Sequence, residues 1–162
     1  MKTISFARSL IMTIFVLIVV IANCQLEATD KDKFYLTKTK YDGSHILHAC
    51  VKGYHTASLW EILDVSNLQY DTELGAMGED SGSGPPSGGV GWIRTGWTDT
   101  DSSATPGFAN CNIWTSNSSD DNGTVVYLNP NWQTAPSRII DPWEAGIQPC
   151  SEGWFVWCVQ DP

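Results

Sequence analysis

Cysteines constrain this chain more than any other feature. Four of the five, Cys50, Cys111, Cys150 and Cys158, lie beyond a segment built for export, and an exported chain with four cysteines is expected to close two bridges. Export is read from the first residues. Lys2 and Arg8 precede an unbroken apolar run from Leu10 to Ala22, and Asn23 and Cys24 follow it, the layout of a signal peptide. The run is too short to cross a bilayer core, which takes about 20 apolar residues, and Arg8 on one side and Gln25, Glu27 and Asp30 on the other block its extension. Four cysteines admit three pairings, among which the sequence alone does not choose. No Cys-x-x-Cys pair occurs, so zinc ribbons and thioredoxin-like redox chemistry have no support.

Two cleavages fit the end of the leader. Ala22-Asn23-Cys24 offers small residues to an ordinary signal peptidase and would leave Gln25 first. Ile21-Ala22-Asn23-Cys24 resembles a bacterial lipobox, with Asn where Gly, Ala or Ser is usual; Cys24 would then be lipidated, and that anchor would be the only tie to a membrane. Either event removes Cys24 from the pairing set. The expected organisation is a leader over residues 1–24, a tether over residues 25–33 and one domain over residues 34–162. The net charge of −9 repels phosphates and anionic lipids, so nucleic acid is not expected as a partner. The same charge keeps an exported protein soluble.

Along the domain, Lys33-Phe34-Tyr35-Leu36-Thr37 has the content of a short strand. Ser58 and Glu61 stand at capping-box spacing, and Leu59, Ile62 and Leu63 share a face, which predicts a short helix over 58–65 with an apolar stripe toward the core. From Gly75 to Gly91 seven glycines, Pro85-Pro86 and several serines read as a long surface loop. Residues 91–95, 112–115, 124–128 and 154–159 then read as strands separated by turn residues. Asp120-Asp121-Asn122-Gly123 reads as a tight hairpin turn rather than a metal site. One early helix followed by many short strands predicts an α+β domain.

His48-Ala49-Cys50, Thr56-Ala57-Ser58-Leu59-Trp60-Glu61 and Ser66-Asn67-Leu68-Gln69 resemble the helical entry of C-type-lectin-like domains, and above all the endostatin module of certain collagens. Asn110-Cys111-Asn112-Ile113-Trp114-Thr115, Gly123-Thr124, Leu128, Cys150 and Phe155-Val156-Trp157-Cys158-Val159 resemble the second half of that module in the same order. The match runs from about Cys50 to Asp161, with a gap over the glycine-rich loop. It points to a secreted bacterial relative or lipoprotein, since no Gly-X-Y repeat precedes the domain. The resemblance implies a short helix with a twisted antiparallel sheet, long loops and nested bridges, Cys50–Cys158 and Cys111–Cys150. On the chain-entropy model the outer bridge would contribute about 4 to 5 kcal/mol and the inner one about 4 kcal/mol.

The calcium triplets of sugar-binding C-type lectins, Glu-Pro-Asn or Gln-Pro-Asp and Trp-Asn-Asp, are absent. Asn129-Pro130-Asn131 is similar to the first, but it follows Cys111 and lacks the carboxylate that a hard cation wants. His45, His48 and His55 do not reproduce the zinc spacing of endostatin, and on a strand His45 and His48 would face opposite sides. No cofactor is therefore expected. Asp80-Ser81-Gly82-Ser83-Gly84-Pro85 is similar to the nucleophile run of trypsin-like proteases, but an extra serine interrupts it and the chain is too short for two six-stranded barrels. Glu61, Glu73, Glu79, Asp80 and Glu144 are available for glycoside hydrolysis without any spacing that selects a pair.

Of eight tryptophans, those on strands are expected in the core, whereas Trp97, Trp132 and Trp143 sit in loop contexts suited to stacking on a sugar or anchoring a protein. With Asp99 and Asp101 beside Trp97, these five residues are the expected ligand-binding set. The expected function is non-catalytic recognition of a glycan, or of an extracellular or envelope protein, by a module that is secreted or held in the cell envelope. A structural envelope lipoprotein is the alternative, ahead of a small hydrolase.

Overall fold

The structure, a computed structural model, describes residues 31–64, 67–76, 89–96, 105–128 and 143–162. The leader with Cys24, most of the expected tether, the Asp80–Pro85 run and Asn129-Pro130-Asn131 lie outside these residues. Among the described residues seven strands form one sheet: β1 (Asp32–Leu36), β2 (Tyr54–Thr56), β3 (Leu68–Tyr70), β4 (Val90–Trp92), β5 (Asn122–Leu128), β6 (Trp143–Pro149) and β7 (Phe155–Gln160). Their order is β3-β1-β7-β4-β5-β6, with β2 also paired to β7. A 3₁₀ turn (Ile46–His48) and one helix, α1 (Leu59–Leu63), lie between β1 and β3.

β7 organises the sheet. Val156, Trp157, Cys158 and Val159 are all buried, the continuous apolar run of a strand covered on both faces. On one edge β1 pairs with it antiparallel, Phe34 opposite Val159 and Leu36 opposite Trp157. The other edge is shared: β4 runs parallel to its start, Trp92 opposite Val156, and β2 antiparallel to its end, Thr56 opposite Cys158. β1 and β3 are also parallel, Asp32 opposite Leu68. The sheet is therefore mixed rather than antiparallel, and the α+β class holds. A parallel neighbour needs a crossover, and the chain between β1 and β3, carrying β2 and α1, supplies one.

Leu36, Ile46, Ile62, Trp92, Ile93, Val125, Val126, Val156 and Trp157 are fully buried at the centre of the core. The two buried indoles satisfy their N–H groups, Trp92 Nε1 donating to the Tyr41 carbonyl at 2.8 Å and Trp157 Nε1 to that of Val126 at 3.1 Å. Cys50–Cys158 and Cys111–Cys150 are the two disulfides, the second nested within the first. Two bridges belong to an oxidising environment outside the cytosol. No helix among the described residues is long and apolar enough to cross a membrane.

Several local expectations are corrected. β1 begins at Asp32, inside the stretch read as tether, because Asp32 and Lys33 find partners in Leu68 and Gln69. Residues 112–115 are not a strand. Cys111, Asn112, Ile113 and Trp114 all have positive φ, between 49° and 59°, and make one left-handed turn. Asn110, 1% exposed, accepts the Ile113 N–H at its Oδ1, and the Trp114 N–H donates to the Asn110 carbonyl. Asn122 and Gly123 do not turn a hairpin; they open β5, and Gly123 is needed for close approach. A Cβ there would stand 2.6 Å from Cys111 Sγ and 2.6 Å from Trp92 Cζ3. Trp143 opens β6, opposite Leu128, in a ladder that the Gly146 and Pro149 composition hid; an edge strand tolerates a terminal proline.

Candidate functional site: a cleft beside Trp60

α1 carries a complete capping box. The Glu61 N–H donates to Ser58 Oγ, and Glu61 Oε2 accepts the Ser58 N–H at 2.7 Å. This fixes the phase of the helix: Ile62 points into the core, Leu59 is half-buried, Leu63 is 46% exposed, and Trp60 is 76% exposed. The apolar stripe is thus narrower than expected, because a helix of five residues turns only one face to the sheet.

Trp60 borders a cleft of about 380 Å³ between α1, β2 and the ends of β1, β3 and β7. The volume lies within the range of small-ligand pockets, roughly 300 to 1,000 Å³. Leu68 and Val159, both nearly buried, supply its apolar part, and Asp32, Glu61, Asp64, Asn67, Gln160 and His55 supply its polar groups. His55 holds the far side together. Its Nδ1 lies 2.9 Å from Asp161 Oδ1 and its Nε2 lies 2.9 Å from Glu61 Oε1, so one ring ties the residue after β7 to α1. The two carboxylates take opposite ring nitrogens and do not converge on a common ion. Among the described residues no group of three or more His, Cys, Asp and Glu is arranged to hold a metal.

Burial acts to raise the Glu61 pKa, but hydrogen bonds from the Ser58 side chain, the Ser58 backbone and His55, with the charge of His55, outweigh it and hold the carboxyl below its ordinary range. Arg94 Nη2 adds a cation 3.9 Å from Glu61 Oε2, while its Nε donates to the Thr56 carbonyl. A general acid for glycoside hydrolysis needs the opposite shift. Asp64 takes a hydrogen bond from Asn67 Nδ2 at 2.8 Å, which fixes both side chains at the rim.

Trp97, Asp99, Asp101 and Trp132 lie outside the described residues, as does the side chain of Trp143. Their attachment points are described: Gly96 follows the end of β4, whereas Leu128 and Trp143 adjoin Tyr127, which pairs with the first residue of β4. These attachment points lie toward opposite ends of β4. His45 precedes the 3₁₀ turn and pairs with Asp42 at 2.7 Å, well separated in role from His55. Trp60 and His55 were within reach of the sequence, because a capping box at Ser58 and Glu61 already turns the second helical residue away from Ile62. No family model, no curated protein and no solved structure matches the chain.

Proposed function

We propose that the domain is a non-catalytic recognition module of C-type-lectin-like fold that acts outside the cytosol and binds a glycan in the cleft beside Trp60. The antiparallel pairing of the first and last strands and the nested bridges support the fold assignment. The exposure of Trp60 carries the functional one. Trp92 and Trp157 are buried, Trp114 nearly so and Trp154 half-buried, whereas Trp60 presents its indole at the lip of a cavity rich in hydrogen-bonding groups. A sugar ring offers what such a site takes: an apolar face to stack on the indole and hydroxyls for Asp32, Asp64 and Asn67. Commitment of Glu61 and His55 to fixed partners favours holding a ligand over transferring its protons.

Glycan-array binding of the purified domain, followed by calorimetry on the best ligand, tests this. Trp60→Ala should weaken binding at least about tenfold, the loss of one well-buried aromatic contact, while the circular dichroism and both bridges stay intact. Retention of full affinity in Trp60→Ala would remove the cleft from the binding site.

A further inference from the structure

We infer that a second copy of this chain docks on the outer edge of β6, its own β6 adding antiparallel across a two-fold axis at Gly146. The ladder shows which groups the edge offers. The Cys150 N–H donates to the Asp121 carbonyl at 2.9 Å, one step beyond the Asn122–Pro149 pair. Antiparallel strands exchange hydrogen bonds at every second pair, so Gln148, Gly146 and Glu144 exchange theirs with Gly123, Val125 and Tyr127. β5 agrees: the Ile93 N–H donates to the Thr124 carbonyl at 3.1 Å, so Thr124 and Val126 serve β4 and the residues alternating with them serve β6. Ala145 and Ile147 therefore aim N–H and C=O away from β5, and among the described residues no strand lies on that side. Such an edge is a template for another strand unless something blunts it. Here the ladder runs without a bulge and the strand carries no Lys or Arg; Pro149, at its end, alone lacks a donor. The opposite edge of the sheet, β3, is only three residues long.

The residues along the edge select a second copy as the occupant. Outward-facing residues must meet outward-facing residues, so two β6 strands can pair about Glu144, Ala145, Gly146 or Ile147. Pairing about Glu144 sets that carboxylate against its own copy, which is unfavourable. Pairing about Ala145 or Ile147 leaves one end of the strand unmatched. Pairing about Gly146 matches all seven residues. In that register Ala145 exchanges both backbone hydrogen bonds with Ile147 of the second copy, and Ile147 with its Ala145, and the apolar side chains meet on one face. On the other face Glu144, which accepts the Tyr127 hydroxyl, stands opposite Gln148 of the second copy, so an amide donor meets a carboxylate and no like charges are opposed. Gly146 meets itself at the axis, in the close, non-hydrogen-bonded kind of pair. The contact is self-complementary and closes on itself. β4 and β5 separate β6 from β7, so the cleft beside Trp60 stays open in both copies and the dimer presents two of them.

Sedimentation equilibrium of the exported protein, with both bridges formed, tests the idea, and a dimer is expected at roughly 0.1 mM. Ala145→Pro removes an outward N–H from an exposed residue and leaves the ladder to β5 whole, so it should keep the melting temperature within a few degrees while weakening the dimer at least about tenfold. The register is tested at Gly146, where a Cβ would meet only Val125 Cγ2, at 3.7 Å, and where φ is not left-handed. Gly146→Lys and Gly146→Glu each oppose like charges at the axis and should weaken the dimer severalfold. An equimolar mixture of the two should associate more tightly than either alone. A monomer at that concentration overturns the inference, whatever else the edge takes. A dimer unchanged by all three substitutions also overturns it and moves the contact to another surface. A mixture no tighter than its components overturns the pairing about Gly146.

Discussion

Around Cys50–Cys158 the backbone follows ordinary rules. A right-handed helix opens on a complete capping box, β2 and β7 pair in register, and positive φ occurs only at Gly53. Around Cys111–Cys150 four successive residues that are not glycine occupy the left-handed region, each at a cost of roughly 1 to 2 kcal/mol. The first region is held by local preferences that agree with the fold, and its bridge joins segments 108 residues apart. The second is imposed by its surroundings: a buried asparagine at Asn110, close approach of Gly123, and a bridge over 39 residues. A cross-link closing a long loop acts chiefly on the unfolded chain, whereas one beside a strained turn also holds the native conformation in place.

Urea unfolding of the two bridge-deleted proteins tests that contrast at its largest scale. Replacing Cys50 and Cys158 by serine should cost about 4 to 5 kcal/mol, and replacing Cys111 and Cys150 about 4 kcal/mol, on chain entropy alone. A larger loss from the inner pair than from the outer would sharpen the comparison, by showing that this bridge also holds the left-handed turn. A loss under about 1 kcal/mol from the outer pair would break it. At intermediate scale, Gly123→Ala should destabilise by about 1 to 3 kcal/mol, because the new methyl meets Cys111 Sγ and Trp92 at 2.6 Å. Thermal melts that leave Gly123→Ala unchanged would mean the turn is free to move away from β5.

The smallest effects should differ in sign between the two regions. Ser58→Ala removes half of the capping box and should lower stability by about 1 kcal/mol. Ile113→Gly should raise it by about 0.5 kcal/mol, since relief of the positive φ outweighs the freedom that glycine gains in the unfolded chain. Ile113 is 43% exposed, so little packing is lost with it. Two losses, measured by the same denaturant titration, would show that the turn is not strained.

Much of the regular structure was legible. β1, β4, β5 and β7 lie within a few residues of their expected places because aromatic and β-branched runs pack well on a pleated surface. The start of α1 was legible because both halves of a capping box are local. β2 and β3, at three residues each, are too short to leave a periodic signal, and β6 was masked by Gly146 and Pro149. For the candidate site the sequence pointed to loop tryptophans, while the described cleft is walled by a helical one, Trp60.

Chemistry that acts between near neighbours along the chain was settled by the sequence itself: a cysteine set suited to two bridges, the capped start of a helix, and strands with apolar cores. Handedness at Cys111–Trp114, the role of Gly123 and the clamp of His55 on Glu61 and Asp161 were decided only by tertiary structure. Each depends on a partner brought from far away, 106 residues in the case of His55 and Asp161. A left-handed turn, a missing Cβ and a bridging imidazole are all locally unremarkable or unfavourable. They become the lowest free-energy choice only once packing has fixed what stands opposite them.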